Sequence, residues 1–338
     1  DYGNALKFAA QLELNPDRTY PNIDTFIEKE TALPAHERIE AVVIVTPNFL
    51  HYSMAKQLIQ AGFHVICEKP VTNTAAEAMD LEQLVKKHQV VFALTHTYTG
   101  YPMVRQMKTM IAEGVIGKIQ RADAQYYQGW INPVIHDEEK RKMVWRLDPE
   151  KAGQSCCMGD IGVHAFNMIE YTTGLTTKKV LSDLNTLYDN NPLDVDGTAL
   201  LRFDDDVRGM VRASQIATAE ENNLCVAVYG TEGALKWEQE NPNYLYHLKE
   251  GEPIRVLKPG NAYNGKLAEE ATKMPPGHPE GIFDSMANLY LGAAKAIRGK
   301  AYADGAFPNI HDGVRGMKFI EATLASTKNG NVWTNIND

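Results

Sequence analysis

The sequence predicts an α/β chain in two parts, a parallel sheet over residues 1–118 and a mostly antiparallel sheet over residues 119–338. Three observations predict it. Strand and helix patterns alternate through the first part, the character changes after Gly117, and strand-like segments crowd together after Lys179 with few helices between them.

Gly3 to Leu14 and Tyr20 to Glu30 carry helical spacing. Glu40 to Thr46 (EAVVIVT) is a continuous apolar, β-branched run, the pattern of a parallel strand buried on both faces. Leu50 to Gly62 returns to helical spacing and stops at a glycine. His64 to Cys67 reads as a second strand, Thr74 to Gln89 as a Thr-capped amphipathic helix, Val90 to Thr95 as a third strand, and Pro102 to Glu113 as a helix. Strand, helix, strand, helix, strand makes a parallel sheet with right-handed crossovers. In the second part, strand patterns lie at Ile119 to Tyr127, Lys179 to Leu187, Gly197 to Phe203, Val207 to Ile216, Leu224 to Tyr229, Gly230 to Trp237 and Tyr244 to Leu248. Helices are expected at Asp160 to Thr173, Ile282 to Arg298 and His311 to Lys328.

Composition narrows the functional classes. With 338 residues, 44% hydrophobic and 23% charged, the chain has globular character and room for two cores. A net charge of −9 argues against a nucleic-acid partner, which needs a concentrated basic surface. The densest basic stretch, Glu138 to Lys142, mixes signs and reads as a solvated loop. No apolar run approaches the roughly 20 residues of a membrane span, so no membrane partner is expected. No export signal opens the sequence. The four cysteines form no metal-type pair, the histidines lack ligand spacing, and a reducing cytoplasm is the simplest setting, so no metal is expected.

Ligands of an open parallel sheet bind beyond the carboxyl ends of its strands. That rule selects Thr46-Pro47-Asn48, Glu68-Lys69-Pro70 and Thr95-His96-Thr97-Tyr98. Lys69 is a directed ammonium that can donate to a hydroxyl or carbonyl; the competing reading is an exposed lysine paired with Glu68. Asp160 and His164, four residues apart at the start of a helix, project from one face. The carboxylate suits the helix's positive end and the imidazole suits proton exchange with an alcohol; the competing reading is an N-cap beside a core histidine. A dinucleotide site also needs a glycine-rich strand-to-helix turn. None occurs here, nor an acidic residue ending a second strand, and the opening segment resembles the tail of such a unit. A β-α-β piece of roughly 30 residues is therefore expected ahead of Asp1.

Together, AVVIVTPNFLH (Ala41 to His51), AGFHVICEKPVT (Ala61 to Thr72) and GDIGVH (Gly159 to His164) resemble the Gfo/Idh/MocA family of oxidoreductases. Trp145-Arg146, GTEGALKW (Gly230 to Trp237) and PPGHPEG (Pro275 to Gly281) extend the resemblance over nearly the whole chain. It implies a Rossmann-type domain with an α/β domain on a large open, mostly antiparallel sheet, and a homo-dimer or homo-tetramer. It implies NAD or NADP as cofactor, with Thr46, Pro47, Asn48, His51, Glu68, Lys69 and Pro70 on the cofactor side. It makes Lys69, Asp160 and His164 the catalytic group, with a sugar, anhydrosugar or inositol-like polyol as substrate. His96, Tyr98, Gln128, Trp130, Trp145, Arg146 and His278 fall on the substrate side. The implied reaction is hydride transfer from a secondary hydroxyl to nicotinamide. A non-catalytic sugar or cofactor sensor, or an assembly subunit, is the rival use of the same scaffold; a lysine beside an acid/base pair counts against it.

Overall fold

A computed structural model describes residues 2–187 and 191–336. It opens with α1 (Tyr2–Gln11) and α2 (Ile23–Thr31), the latter capped by Asn22, whose side chain accepts the Thr25 N–H. Glu30 is fully buried at the end of α2, where Arg18 reaches it through two 2.7 Å hydrogen bonds and the Ile39 N–H donates at 2.9 Å. A buried carboxylate is tolerable because it is paired and hydrogen-bonded in this way. The network fixes the approach to the first strand.

Next in the chain come β1 (Ala41–Ile44), α3 (His51–Gln60), β2 (His64–Cys67), α4 (Ala75–His88), β3 (Phe92–Leu94) and α5 (Pro102–Ala112). The strands form a parallel sheet in the order β1-β2-β3, with Ile44 opposite Cys67 and Cys67 opposite Leu94. α3 stops where Gly62 takes φ +81°, a region that glycine enters without strain. α4 starts on a capping box in which Thr74 accepts the Glu77 N–H and Glu77 accepts the Thr74 N–H. One expectation needs correction. Among the described residues β1 is not buried on both faces: Ile44 is covered and Val43 is exposed, with β2 as the one strand paired to β1.

β4 (Ile119–Tyr127) enters the second sheet. Three short helices come after it, α6 (Asn132–Ile135), α7 (Glu138–Met143) and α8 (Pro149–Ala152), then α9 (Val163–Thr173). α7 corrects a second expectation, since it occupies the mixed-charge stretch expected to be a loop. Asp137 caps it by accepting from the Glu139 and Lys140 N–H groups, and Glu138 pairs with Lys142 one turn on at 2.8 Å. The remaining strands are β5 (Thr177–Asn185), β6 (Asp196–Phe203), β7 (Arg208–Ser214), β8 (Asn223–Gly230), β9 (Ala234–Glu238), β10 (Leu245–Leu248), β11 (Arg255–Leu257) and, near the carboxyl end, β12 (Thr334–Asn335). They build a nine-stranded sheet in the order β11-β10-β9-β8-β4-β7-β6-β5-β12, antiparallel except where β4 runs parallel to β7.

α10 (Lys266–Ala271), α11 (Ile282–Ile297) and α12 (Ile310–Lys328) complete the chain. α12 packs on β5 and α9, where Phe319 stacks on Phe166 at 4.2 Å, and it also meets α4, where Glu321 accepts the Ala75 N–H. The two sheets thus share one continuous core, running from Ile44 and Phe63 through Phe166 to Trp237. Each fully buried large apolar side chain there is worth about 1.5–3 kcal/mol. Among the described residues, no helix is long and apolar enough to cross a membrane, and no group of three or more His, Cys, Asp or Glu could hold a metal ion.

Candidate active site

The carboxyl ends of β1, β2 and β3 deliver three loops to one rim. Glu68 is tied to β1 by its N–H, which donates to Ile44 O at 2.9 Å, and Thr95 is tied to β2 by its N–H, which donates to Cys67 O at 2.9 Å. Lys69 comes directly after Glu68 and is joined to Pro70 by a cis peptide. His96 begins a short turn over Thr97–Gly100, and Thr99 holds that turn by donating both its N–H and its hydroxyl to His96 O. Gly100 lies so close to the Ser285 backbone of α11 that a β-carbon there would collide with it, and Ser285 Oγ donates to Thr97 O.

The second sheet supplies the other wall. Met158–Gly162 is a π-turn that runs directly into α9. Its start is held by Asp194, whose carboxylate accepts the Cys156 N–H (3.1 Å) and the Met158 N–H (2.8 Å), and by Ser155 Oγ, which accepts the Gly159 N–H (2.9 Å). Asp160 is therefore not the helix cap. Its own N–H is bonded to Cys156 O at 2.8 Å, which places it inside the turn, and its side chain reaches Lys69 at the rim.

Lys69 and Asp160 meet there. Lys69 Nζ donates to Asp160 Oδ1 at 2.7 Å and to the Asp160 backbone oxygen at 2.6 Å. Gln215 Nε2 donates to Asp160 Oδ2 at 2.9 Å, and Arg146 Nε stands 3.2 Å from that oxygen as an ion pair without an aligned hydrogen bond. The lysine and aspartate side chains are only 13% and 18% exposed, too enclosed for Lys69 to be a solvated surface lysine. Burial pushes the Asp160 carboxyl up, but Lys69 and Arg146 outweigh it and the net shift is downward, so the carboxylate stays ionised.

His164 sits in the first turn of α9, buried against His96 and Tyr98. Burial lowers its pKa well below the usual histidine value, and the nearby Lys69 charge adds to the effect. The ring is neutral at pH 7 and able to accept a proton. Tyr98 continues the wall. Its hydroxyl lies 2.5 Å from that of Tyr126, which donates to Asn222 Oδ1 at 3.1 Å. Gln128 Nε2 donates to the same oxygen at 2.8 Å, and Trp130 Nε1 donates to Gln128 Oε1 at 3.0 Å. An indole N–H only donates, so Trp130 orients the whole chain: the Tyr126 proton is committed to Asn222, and Tyr98 must donate to Tyr126. Among the described residues none then donates to the Tyr98 oxygen, which is free to accept a hydrogen bond.

The other expected residues have different surroundings. Asn48 Nδ2 donates to Ala152 O at 3.1 Å, bracing the Thr46-Pro47-Asn48 loop against α8. His51 is fully buried, with Nδ1 2.8 Å from Pro70 O and Nε2 2.8 Å from Thr46 O. Both ring nitrogens face backbone carbonyls, so His51 lies beneath the two loops and joins them instead of facing a ligand. Trp145 carries the Arg146 guanidinium over its ring at 4.6 Å. His278 is exposed, its Nδ1 near Pro275 O of its own loop, and no described contact brings it to Lys69 or Asp160. A cleft of about 780 Å3 lies elsewhere, at the amino end of β3 around Val91, Lys108 and Asp312, away from this convergence. Gln215, Tyr126 and Asn222 belong to the site without being expected from the sequence patterns. Of these, only Tyr126 carries a signal, as an inward position in the alternating β4.

A three-stranded parallel sheet whose rim gathers an ammonium, a carboxylate and a neutral imidazole is an α/β scaffold that presents a proton acceptor close to a cation. The donor set at the rim fits the ribose end of a dinucleotide, because Lys69 is a directed, enclosed cation at the carboxyl end of β2. Residues 3–96 match the family model described as oxidoreductase family, NAD-binding Rossmann fold, and residues 104–236 match the GFO/IDH/MocA C-terminal domain. The chain belongs to the Gfo/Idh/MocA family of oxidoreductases.

An uncharacterised oxidoreductase of Bacillus subtilis, YfiI, is 30% identical over 334 residues, covering 96% of this chain and 84% of that one. Levoglucosan dehydrogenase of Pseudarthrobacter phenanthrenivorans is 30% identical over 229 residues, 61% of this chain and 57% of its own. Among solved structures, an inositol dehydrogenase homolog from Azotobacter vinelandii complexed with NAD+ superposes with a TM-score of 0.91 at 32% identity, covering 99% of this chain and 87% of that one.

Proposed function

We propose that this protein oxidises a secondary hydroxyl of a sugar, anhydrosugar or inositol-like polyol, with NAD or NADP as the acceptor. The observation that carries the reading is the Lys69–Asp160 pair at the sheet rim with buried His164 close enough for the Lys69 charge to act on it. Bound nicotinamide supplies the hydride acceptor. Thr46, Pro47, Asn48, Glu68, Lys69 and Pro70 would hold its ribose end, with His51 bracing their loops. His164, neutral because it is buried, takes the hydroxyl proton. Lys69, aimed by two bonds to Asp160, donates to the oxygen on which negative charge develops. Tyr98, Trp130, Trp145 and Arg146 form the substrate side, where aromatic faces suit sugar C–H surfaces. Sugar and inositol dehydrogenases among the relatives support the substrate class.

The same reading assigns cofactor binding to residues 1–118, and substrate binding and assembly as a homo-dimer or homo-tetramer to residues 119–338. The test is formation of reduced nicotinamide by the full-length protein with a panel of cyclic polyols and anhydrosugars. If His164→Asn and Lys69→Ala turn over at the wild-type rate, the assigned roles are wrong.

A further inference from the structure

Two buried histidines face each other through the same ring nitrogen. His96 Nδ1 lies 3.2 Å from His164 Nδ1, and the rings meet edge to face with centroids 5.1 Å apart. Tyr98 meets His164 in a second edge-to-face contact at 4.9 Å, so a flip of the His164 ring requires its neighbours to move. Burial, with Lys69 nearby, lowers both pKa values, that of His96 to about 3, and both rings are neutral at pH 7.

A neutral imidazole carries one N–H, so one of the two facing nitrogens donates and the other accepts. Only two arrangements satisfy the contact. If His96 donates, His164 carries its proton on Nε2, and its one basic nitrogen, Nδ1, is already taken up by the His96 N–H. If His164 donates, its Nε2 is bare.

We infer that His96 is a positioning residue: its Nδ1 accepts the Nδ1 proton of His164 and so holds His164 in the tautomer whose Nε2 is free to act as a base. The choice between the two arrangements rests on the dehydrogenase reading, which needs that bare nitrogen. The contact also suits the state reached after proton transfer. When the substrate O–H breaks and an N–H forms at His164 Nε2, the resulting imidazolium still donates Nδ1–H to His96, and nothing has to move. The tautomer of a histidine is set by the partner of its other nitrogen, which makes His96, not Asp160, the residue that tunes His164.

The position of His96 is equally fixed, by the two hydrogen bonds from Thr99 to its carbonyl. Lys69 and Asp160 on the rim, Tyr98 and Tyr126 on the wall, and Glu68 at the end of β2 are the titratable groups that act on this cluster.

The experiment is nitrogen-15 NMR of histidine side chains in the full-length protein, together with turnover of cyclic polyols by the wild type, His96→Leu and His96→Gln. The wild type should show His164 protonated at Nδ1 and bare at Nε2. His96→Leu, which offers no acceptor, should move His164 toward the Nε2–H form and lower kcat by about 10- to 100-fold at little change in KM. His96→Gln, whose carbonyl can accept, should recover most of that loss. A wild-type His164 protonated at Nε2, or a Gln variant as slow as the Leu variant, overturns the inference. Should His96→Leu not fold, the wild-type spectrum and the Gln variant decide. A wild type with the expected spectrum that turns over no polyol sinks the dehydrogenase reading and leaves the tautomer assignment standing.

Discussion

Gln215→Leu tests how the Asp160 carboxylate is held. Gln215 is fully buried at the end of β7, donating from Nε2 to Asp160 Oδ2 at 2.9 Å and accepting from Cys156 Sγ at 3.1 Å. Leucine has a similar shape and no donor, so the site stays filled and loses a charge-assisted hydrogen bond. Such bonds contribute about 1.5–3 kcal/mol, and the Cys156 contact adds little. Chemical denaturation should therefore read a loss of about 2 kcal/mol. Asp160 Oδ2 retains only the unaligned Arg146 contact, so the Lys69–Asp160 pair loosens and kcat should fall about tenfold, the equivalent of about 1.4 kcal/mol. Gln215→Glu provides the contrast. A second carboxyl in that place raises one of the two pKa values, so its rate deficit should shrink as pH is lowered, whereas the Leu deficit should be flat. A Gln215→Leu variant with wild-type kcat and a stability change below about 0.5 kcal/mol would refute the assignment.

Lys69→Met leaves the enclosed Asp160 carboxylate without its main cation; kcat should drop about 100-fold or more, and stability by up to about 3 kcal/mol, read by steady-state kinetics and urea unfolding. His51→Leu removes both ring contacts between the Thr46 and Pro70 loops, so the KM for cofactor should rise more than kcat falls; the reverse pattern contradicts a bracing role. Tyr126→Phe takes away the acceptor for the Tyr98 proton and should raise substrate KM about 3- to 10-fold with kcat nearly unchanged. Both buried histidines have depressed pKa values in the fold, so each contributes stability above the unfolded value of 6.5 that is lost as pH falls below it. Two such groups give a slope of up to about 2.7 kcal/mol per pH unit on the acid side, and His96→Leu should lower that slope in denaturation measured from about pH 6.5 down toward about 4.

Periodicity makes β2 legible to the residue and α4 to its cap, because both patterns are local. Lys69 and the Asp160–His164 pair are legible as chemistry at strand and helix ends. The π-turn is not, since it is set by Asp194 and Ser155 bonding to backbone from outside the segment. β11 and β12 are too short to show a period and exist through pairing with β10 and β5. His51 and His96 border the rim, which suggests that they face a ligand. Only the fold shows that their rings point at carbonyls and at another histidine. Gln215 leaves no trace in the sequence, being a buried polar side chain whose partner lies 55 residues away.

The most direct test of the account follows the hydride itself. Full-length protein is given NAD or NADP and a cyclic polyol deuterated at its carbinol carbon, and the reduced cofactor is examined by mass spectrometry. The account predicts that the deuterium appears on the nicotinamide ring and that transfer is lost in His164→Asn. Reduced cofactor without the label, or no reduction by any cyclic polyol or anhydrosugar while the cofactor binds, would contradict it.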